Sequence, residues 1–315
     1  MENKEDRLVL APLAGYTDKA FRQMATEMGA DICVTEMVSA EGLARNGEKT
    51  KELLERFEGE DRMIVQLFGP DKDPVERSIE NLMLFHPTQV DFNCGCPVPK
   101  VVKTGAGSAL MQTPKKITEI VRVLKKETGL PVSVKFRLGW DSSSINYLEF
   151  ADAAAEGGAD IMTLHARTRA QGYEGKADRN AFRALSEHFQ GTGIRLYASG
   201  DIFTPEDAIS VINECGMYGV MFARGAIGNP FIFRETKEYL ETGSYTLPTV
   251  QEKIEGAMRH FSLMEHYYGE YLAGKEMRKH AMAYIKGTPG ASRCKLLLTK
   301  ANTKEEYREA FEALF

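Results

Sequence analysis

IRLYASGDIFTPEDAISVINECGMYGVMFARGA, residues 194–226, reads as strand, helix and strand in a single pass. Apolar residues from Ile194 predict a strand that breaks at Ser199-Gly200-Asp201. Thr204-Pro205 then offers a hydroxyl at an N-cap and a proline at the first helical position. Asp207 completes a capping box, with Asp in the usual Glu place. Gly216 suits the left-handed residue that ends a helix. A second strand starts near Tyr218 and runs out at Ala223-Arg224-Gly225-Ala226.

The same beat extends back to the start of the chain. Strand-like runs begin near Leu8, Asp31, Met63, Gln89, Pro131, Asp160, Ile194 and Tyr218, spaced roughly 23 to 42 residues apart, as βα units require. Between them, Ile117, Ile120, Val121 and Leu124 share one helical face, as do Val75, Ile79, Leu82 and Met83. Thr113-Pro114 marks another helix start, and Gly29, Gly129 and Gly158 mark helix ends. Eight such units predict an α/β fold, a closed (β/α)8 TIM barrel. A doubly wound open sheet would need fewer units and a GxGxxG near its first strand, which is absent. After Leu247-Pro248 only helical patterns remain: Ile254, Met258, Phe261 and Met264 suit one helix, and Met277, Ala281, Tyr284 and Ile285 a second. The expected division is a catalytic barrel, 1–245, and a small all-helical domain, 246–315.

Composition narrows the classes of function. The 315 residues are 43% hydrophobic and 27% charged, ordinary globular values that exclude disordered and low-complexity chains. No apolar run approaches the roughly 20 residues that span a bilayer, and the opening MENKEDRLVL carries acids. Five scattered cysteines (Cys33, Cys94, Cys96, Cys215 and Cys294) imply no disulfide framework. A cytoplasmic, monomeric protein without a membrane is the expectation. The net charge of −5 argues against whole-molecule attraction to nucleic acid. That average conceals a block at 275–304, where eight bases, Lys279 and Lys286 among them, face one acid, Glu276.

In such barrels the chemistry sits at the C-terminal ends of the strands. Ser199-Gly200-Asp201 and Ala223-Arg224-Gly225 follow the last two strands and offer backbone N–H groups and a guanidinium to a phosphate, which suggests FMN. Lys135 ends an apolar strand, where a cation is expensive unless it meets an anion. A lysine there would stabilise the negative charge of a reduced flavin. Gln66 both donates and accepts, matching the pyrimidine edge of that ring. Cys94 and Cys96 lack the partner ligands and spacing of a zinc site, so no metal is expected. A Cys96 thiol, held between Gly95 and Pro97, is a proton donor with an ordinary pKa near 8.5. Cys94 is read as packed.

The ordered set LAPLAGYTDKAFR (10–22), TEMVSAEGL (35–43), VQLFG (65–69), DFNCGCP (91–97), VKFRLGW (134–140), LHARTRAQGYEGKAD (164–178), SGDI (199–202), ARGAIGNPFIF (223–233) and KHAMAYIKGTPGASR (279–293) resembles the tRNA-dihydrouridine synthases. The resemblance implies NADPH- or NADH-driven, FMN-dependent reduction of the uracil C5–C6 bond, with hydride to C6 and a proton from Cys96 to C5. It implies flavin contacts at Pro12, Leu13, Ala14, Gln66, Lys135, His165, Ser199, Gly200, Asp201, Ala223, Arg224 and Gly225. Asn93 and Arg137 would lie beside the base, with Arg167, Arg169 and Tyr173 as neighbours, and Lys279 and Lys286 would contact RNA. Leu13, Ser199 and Ala223 stand where the family carries Met, Asn and Gly; Ser199 shortens a hydrogen-bonding reach, and Ala223 adds a methyl near the phosphate. Alternative substrates on this reading are another structured RNA such as ribosomal RNA, or a free pyrimidine or enone. A third alternative is an RNA-binding factor in which catalysis is dispensable.

Overall fold

The computed structural model describes residues 6–315. Its strands are β1 (Leu8–Leu10), β2 (Ile32–Val34), β3 (Val38–Ser39), β4 (Met63–Phe68), β5 (Gln89–Cys94), β6 (Val132–Arg137), β7 (Ile161–His165), β8 (Arg195–Ser199) and β9 (Gly219–Phe222). All pair in parallel, and β1 joins both β2 and β9, so the sheet closes on itself. With helices outside, this is the expected (β/α)8 TIM barrel followed by C-terminal helices.

One barrel position differs from the sequence expectation. The second strand is broken into β2 and β3, which pair in succession with β4 at Val34↔Ile64 and Val38↔Leu67. Thr35 bridges the break: its N–H donates to Ile64 C=O at 2.9 Å, and its Oγ1 accepts the Gln66 N–H at 3.2 Å. A side-chain oxygen thus replaces a ladder carbonyl, and Glu36 and Met37 are free to turn toward the mouth.

Two apolar layers hold the barrel. Outside the strands, one helix face after another packs on the sheet, including Ile117, Ile120, Val121 and Leu124 from the helix Pro114–Thr128. Inside, Val9, Ile32, Val34, Ile64, Ile161, Tyr197 and Met221 form a second cluster. The caps largely follow expectation. Thr204 and Asp207 form the capping box, and Gly129, Gly158 and Gly216 are left-handed helix ends. Thr113 is an N-cap without a side-chain bond, because the same residue closes the 3-10 turn Gly107–Gln112, its N–H donating to Leu110 C=O.

Beyond Thr249 lie four helices, Val250–Tyr268, Glu270–Tyr284, Ala291–Leu298 and Lys304–Glu312, where periodicity alone suggests two. The last is short but legible: Thr303 and Glu306 form its capping box, and Tyr307, Ala310 and Phe311 share one face, a signal the two-helix reading did not use. The tail is fastened to the barrel helix Lys19–Glu27. Arg259 pairs with Glu27 at 2.6 Å, Tyr267 donates to Gln23 at 2.6 Å, and Phe21 stacks on His260 with centroids 5.3 Å apart. No helix among the described residues is long and apolar enough to cross a membrane.

Candidate active site

The strands' C-terminal ends open into a cavity of about 500 Å³. Strand pleating explains what faces it. Alternate residues point inward, so β6 presents Ser133, Lys135 and Arg137, and β5 presents Gln89, Asp91 and Asn93. Cys94 falls on the outward face and is fully buried, whereas Cys96 lies beyond the strand end and lines the cavity. The other four cysteines are all buried. The Cys96 turn is tightly held. Asn93 Oδ1 accepts the Cys96 N–H at 2.9 Å and the Gly95 N–H at 3.1 Å, while the Cys96 carbonyl accepts from the Ser108 N–H at 3.0 Å and Oγ at 2.9 Å. Burial pushes the Cys96 thiol up, opposed by the Val98 N–H and by Arg137 and Lys135. At neutral pH it therefore holds its proton.

The cations around it are weakened in the same way. Burial lowers Lys135 to about 8, with Arg137 adding to the shift and Asp91 opposing it. Burial lowers Arg137 to about 10. Burial, followed by the Lys135 and Arg137 charges, holds His165 well below its ordinary range, so its ring is neutral. Arg137 lines the cavity but spends its donors on three loop carbonyls, Gly95 at 2.7 Å and Thr168 and Gly172 at 2.9 Å. It clamps the Cys96 loop to the loop that follows β7.

Pro12, Leu13 and Ala14 form the wall after β1, and Ser199, Gly200, Asp201, Ala223, Arg224 and Gly225 the wall after β8 and β9. No acceptor among the described residues meets the backbone N–H groups of Gly200, Arg224 and Gly225. Gly225 admits no side chain, since a Cβ there would lie 2.4 Å from the Ile202 carbonyl. The Arg224 guanidinium lies 4.8 Å from the Tyr173 ring and 5.4 Å from the Phe203 ring, and 3.3 Å from Asp201. Open N–H groups beside a guanidinium fit a phosphate.

Several expected residues lie off the cavity wall. Gln66 sits beneath it and is fully buried, donating to Asp91 Oδ2 at 2.5 Å and accepting from Asn93 Nδ2 at 2.8 Å. Both ends of its amide are used inside the barrel. Arg167 is buried and pairs with Asp201 at 2.6 Å, also donating to the Glu174 and Gly175 carbonyls. Burial alone would raise Asp201, but the Arg167 bond and the Ala177 N–H lower it, so the carboxylate is firmly ionised. Arg169 stacks on Trp140 at 4.3 Å. Lys279 reaches the rim from the tail, its Nζ ion-paired with Glu276 and 5.2 Å from the ring of Tyr16, a cavity residue. Lys286 is exposed just past its helix.

Sequence reading gave no role to Asp91, Tyr16 or Glu36; Glu36 stands at a strand end, and its carboxylate accepts the Gly15 N–H. For Asp91 a signal exists: Gln89, Asp91 and Asn93 repeat a polar residue at period two inside a buried strand.

The model of the dihydrouridine synthase (Dus) family matches residues 9–315. A probable tRNA-dihydrouridine synthase of Treponema pallidum is 40% identical over 287 residues, covering 89% of this chain and 84% of the relative. A probable tRNA-dihydrouridine synthase 1 of Synechocystis is 35% identical, covering 97% and 85%. The tRNA-dihydrouridine synthase B of Pseudomonas aeruginosa is also 35% identical, covering 91% and 86%. With its barrel and tail both inside that match, the chain belongs to the dihydrouridine synthase family of oxidoreductases.

Proposed function

We propose that the protein reduces the C5–C6 bond of uridines in tRNA to 5,6-dihydrouridine, using FMN and NADPH, as a cytoplasmic monomer. The observation that carries this reading is Cys96: a protonated thiol on a rigid turn, opening into a cavity that also holds Lys135. The cavity's size and its open N–H groups beside Arg224 fit a flavin and its phosphate. FMN held there would supply hydride chemistry for C6 of the uracil, with NADPH as the reductant. Arg224, Gly200, Gly225 and Ser199 would hold the phosphate end, Pro12, Leu13 and Ala14 would support the ring, and Lys135 would balance its negative charge. His165, kept neutral, offers the ring one nitrogen that donates and one that accepts. Cys96 Sγ gives its proton to C5, and solvent restores it. The uridine reaches this depth only when splayed out of its stack, so the substrate is a loop of folded RNA. The relatives' printed names favour tRNA. Residues 246–315 form the RNA-binding domain on this reading, with Lys279 at the rim and Lys286 farther along the tail. Incubating the protein with NADPH and an unmodified tRNA transcript tests the whole. Dihydrouridine should appear, and its absence with flavin bound and reducible would sink the proposal.

Two narrower outcomes follow from the same geometry. Arg224→Ala removes the one guanidinium at the phosphate end, so the variant should purify with at least about tenfold less flavin per chain. Absorbance of the isolated protein checks this, and full occupancy would overturn it. Reversing Lys279 and Lys286 together to Glu should weaken tRNA binding and flatten the slope of log K against log salt by about one to two units. An unchanged slope would place the phosphate contacts elsewhere.

A further inference from the structure

A polar chain crosses three strands beneath the cavity and reaches its wall at Asn93. The register sets Gln66 beside Asp91, Asp91 beside Ser133, and Asn93 beside Lys135. Ser133 Oγ donates to Asp91 Oδ1 at 2.6 Å, and Gln66 Nε2 donates to Asp91 Oδ2 at 2.5 Å. Asn93 Nδ2 donates to Gln66 Oε1 at 2.8 Å, and Asn93 Oδ1 receives the N–H groups of Gly95 and Cys96. All the side chains of this chain are buried, Asp91 to 1% exposure.

Direction is what such a chain transmits. A carboxamide has a donor end and an acceptor end of nearly the same shape, so its orientation is decided by its partners. A carboxylate only accepts. Asp91 therefore compels Gln66 to turn its Nε2 down and its Oε1 up, and this compels Asn93 to turn its Oδ1 toward the Cys96 turn. Were the chain inverted, the Asn93 amide nitrogen would face two backbone donors, and the turn would lose both its bonds.

We propose that Asp91 is a positioning residue: through Gln66 and Asn93 it sets the direction of an amide relay that holds the Cys96 turn in place for proton delivery. The proposal rests on the reading of Cys96 as the proton donor. The residue is costly where it stands. Burial pushes the Asp91 carboxyl up to about 6, against the pull of the Gln66 and Ser133 bonds and of Lys135. A buried charge in a barrel core is worth retaining when it orders a functional site.

Anaerobic half-reactions separate positioning from mere stability. Asp91→Ala should be reduced by NADPH at the rate of Asp91→Asn, which equally removes the charge that helps keep Lys135 protonated, with unchanged RNA affinity, yet its reoxidation by an unmodified tRNA transcript should slow about 10- to 100-fold, the scale set by a small misplacement of a reacting group. Asp91→Asn keeps an oxygen for Gln66 and turns its amide nitrogen to Ser133, so it should recover to within about threefold of wild type. Wild-type reoxidation of Asp91→Ala would overturn the relay, as would equal losses in both half-reactions that Asn fails to rescue. If Asp91→Ala does not fold, Gln66→Glu answers instead. The introduced carboxyl keeps the relay only while protonated, so reoxidation should fall as pH rises from 6 to 8, beyond any wild-type trend, and a profile parallel to wild type would overturn the proposal. Cys96→Ala is run beside them. If it reacts with tRNA at full rate, the thiol reading fails; if it is slow while Asp91→Ala is fast, only the relay fails.

Discussion

Cys96→Ala should accept electrons from NADPH at the wild-type rate and lose about 10²- to 10⁴-fold in turnover on tRNA, the range over which a positioned acid acts. No other thiol substitutes for it: Cys94, two residues away, is fully buried on the outward face of β5. Lys135, lowered to about 8, can give up a proton. Its charge is needed against the flavin on this reading, so it supports only a residual rate. Cys96→Ser should stay close to the alanine level, because a hydroxyl is a far weaker acid than the thiol. The sign of the pH dependence also follows. An acid must hold its proton, so turnover falls as pH rises through the thiol's elevated pKa and is not limited by it near neutrality. Steady-state turnover and anaerobic half-reactions measure all of this. Turnover of the alanine variant within a factor of two of wild type would remove Cys96 from the chemistry.

Gly228→Ala should be strongly destabilising for so small a change. Gly228 has φ +65°, and a Cβ there would lie 2.4 Å from Ala283 Cβ and 2.5 Å from the backbone of Ala283 and Tyr284. The obstacle is tail backbone, which cannot rotate aside as a flexible side chain would. Nor is there room behind it: Tyr284 is buried, and its ring packs edge-on to Phe231. The helix Glu270–Tyr284 must withdraw from the barrel. Overpacking and left-handed strain together cost about 2–4 kcal/mol, which lowers Tm by roughly 3–6 °C in a chain of this length. Gly243→Ala is the control. It carries the same strain at φ +75° with nothing within 4 Å of its Cβ, so it should cost only about 1 kcal/mol. Because the tail carries the basic block, Gly228→Ala should also weaken tRNA binding while reduction by NADPH continues. Equal melting temperatures for the two variants would show that barrel and tail do not depend on this contact.

Local pattern carried much of the fold. The capping box at Thr204–Asp207 and the left-handed ends at Gly129, Gly158 and Gly216 involve residues within a few positions of one another, so sequence spacing specifies them. The break between β2 and β3 was not legible, because it depends on Thr35 meeting Gln66, a residue 31 positions away. The site divides along the same line. Strand-end position was enough to bring Cys96, Lys135, His165 and Arg224 to one cavity. It was not enough for Gln66, Arg167 and Arg169, whose polar groups are taken up by Asp91, Asp201 and Trp140 before they reach the wall.

By itself the sequence determined the eightfold alternation, the end of the barrel at which polar residues gather, and the basic character of the tail. Each is a property of spacing or composition along the chain. Only the tertiary structure decided how each donor is spent, that Arg137 clamps loops, that Gln66 is turned by Asp91, and that the tail rests on Gly228. The physical reason is that periodicity specifies which face a side chain takes. The bonds that spend these donors are specified by whichever partner the closed barrel brings within about 3 Å, and for Gln66 and Arg137 those partners lie 25 or more positions away in sequence.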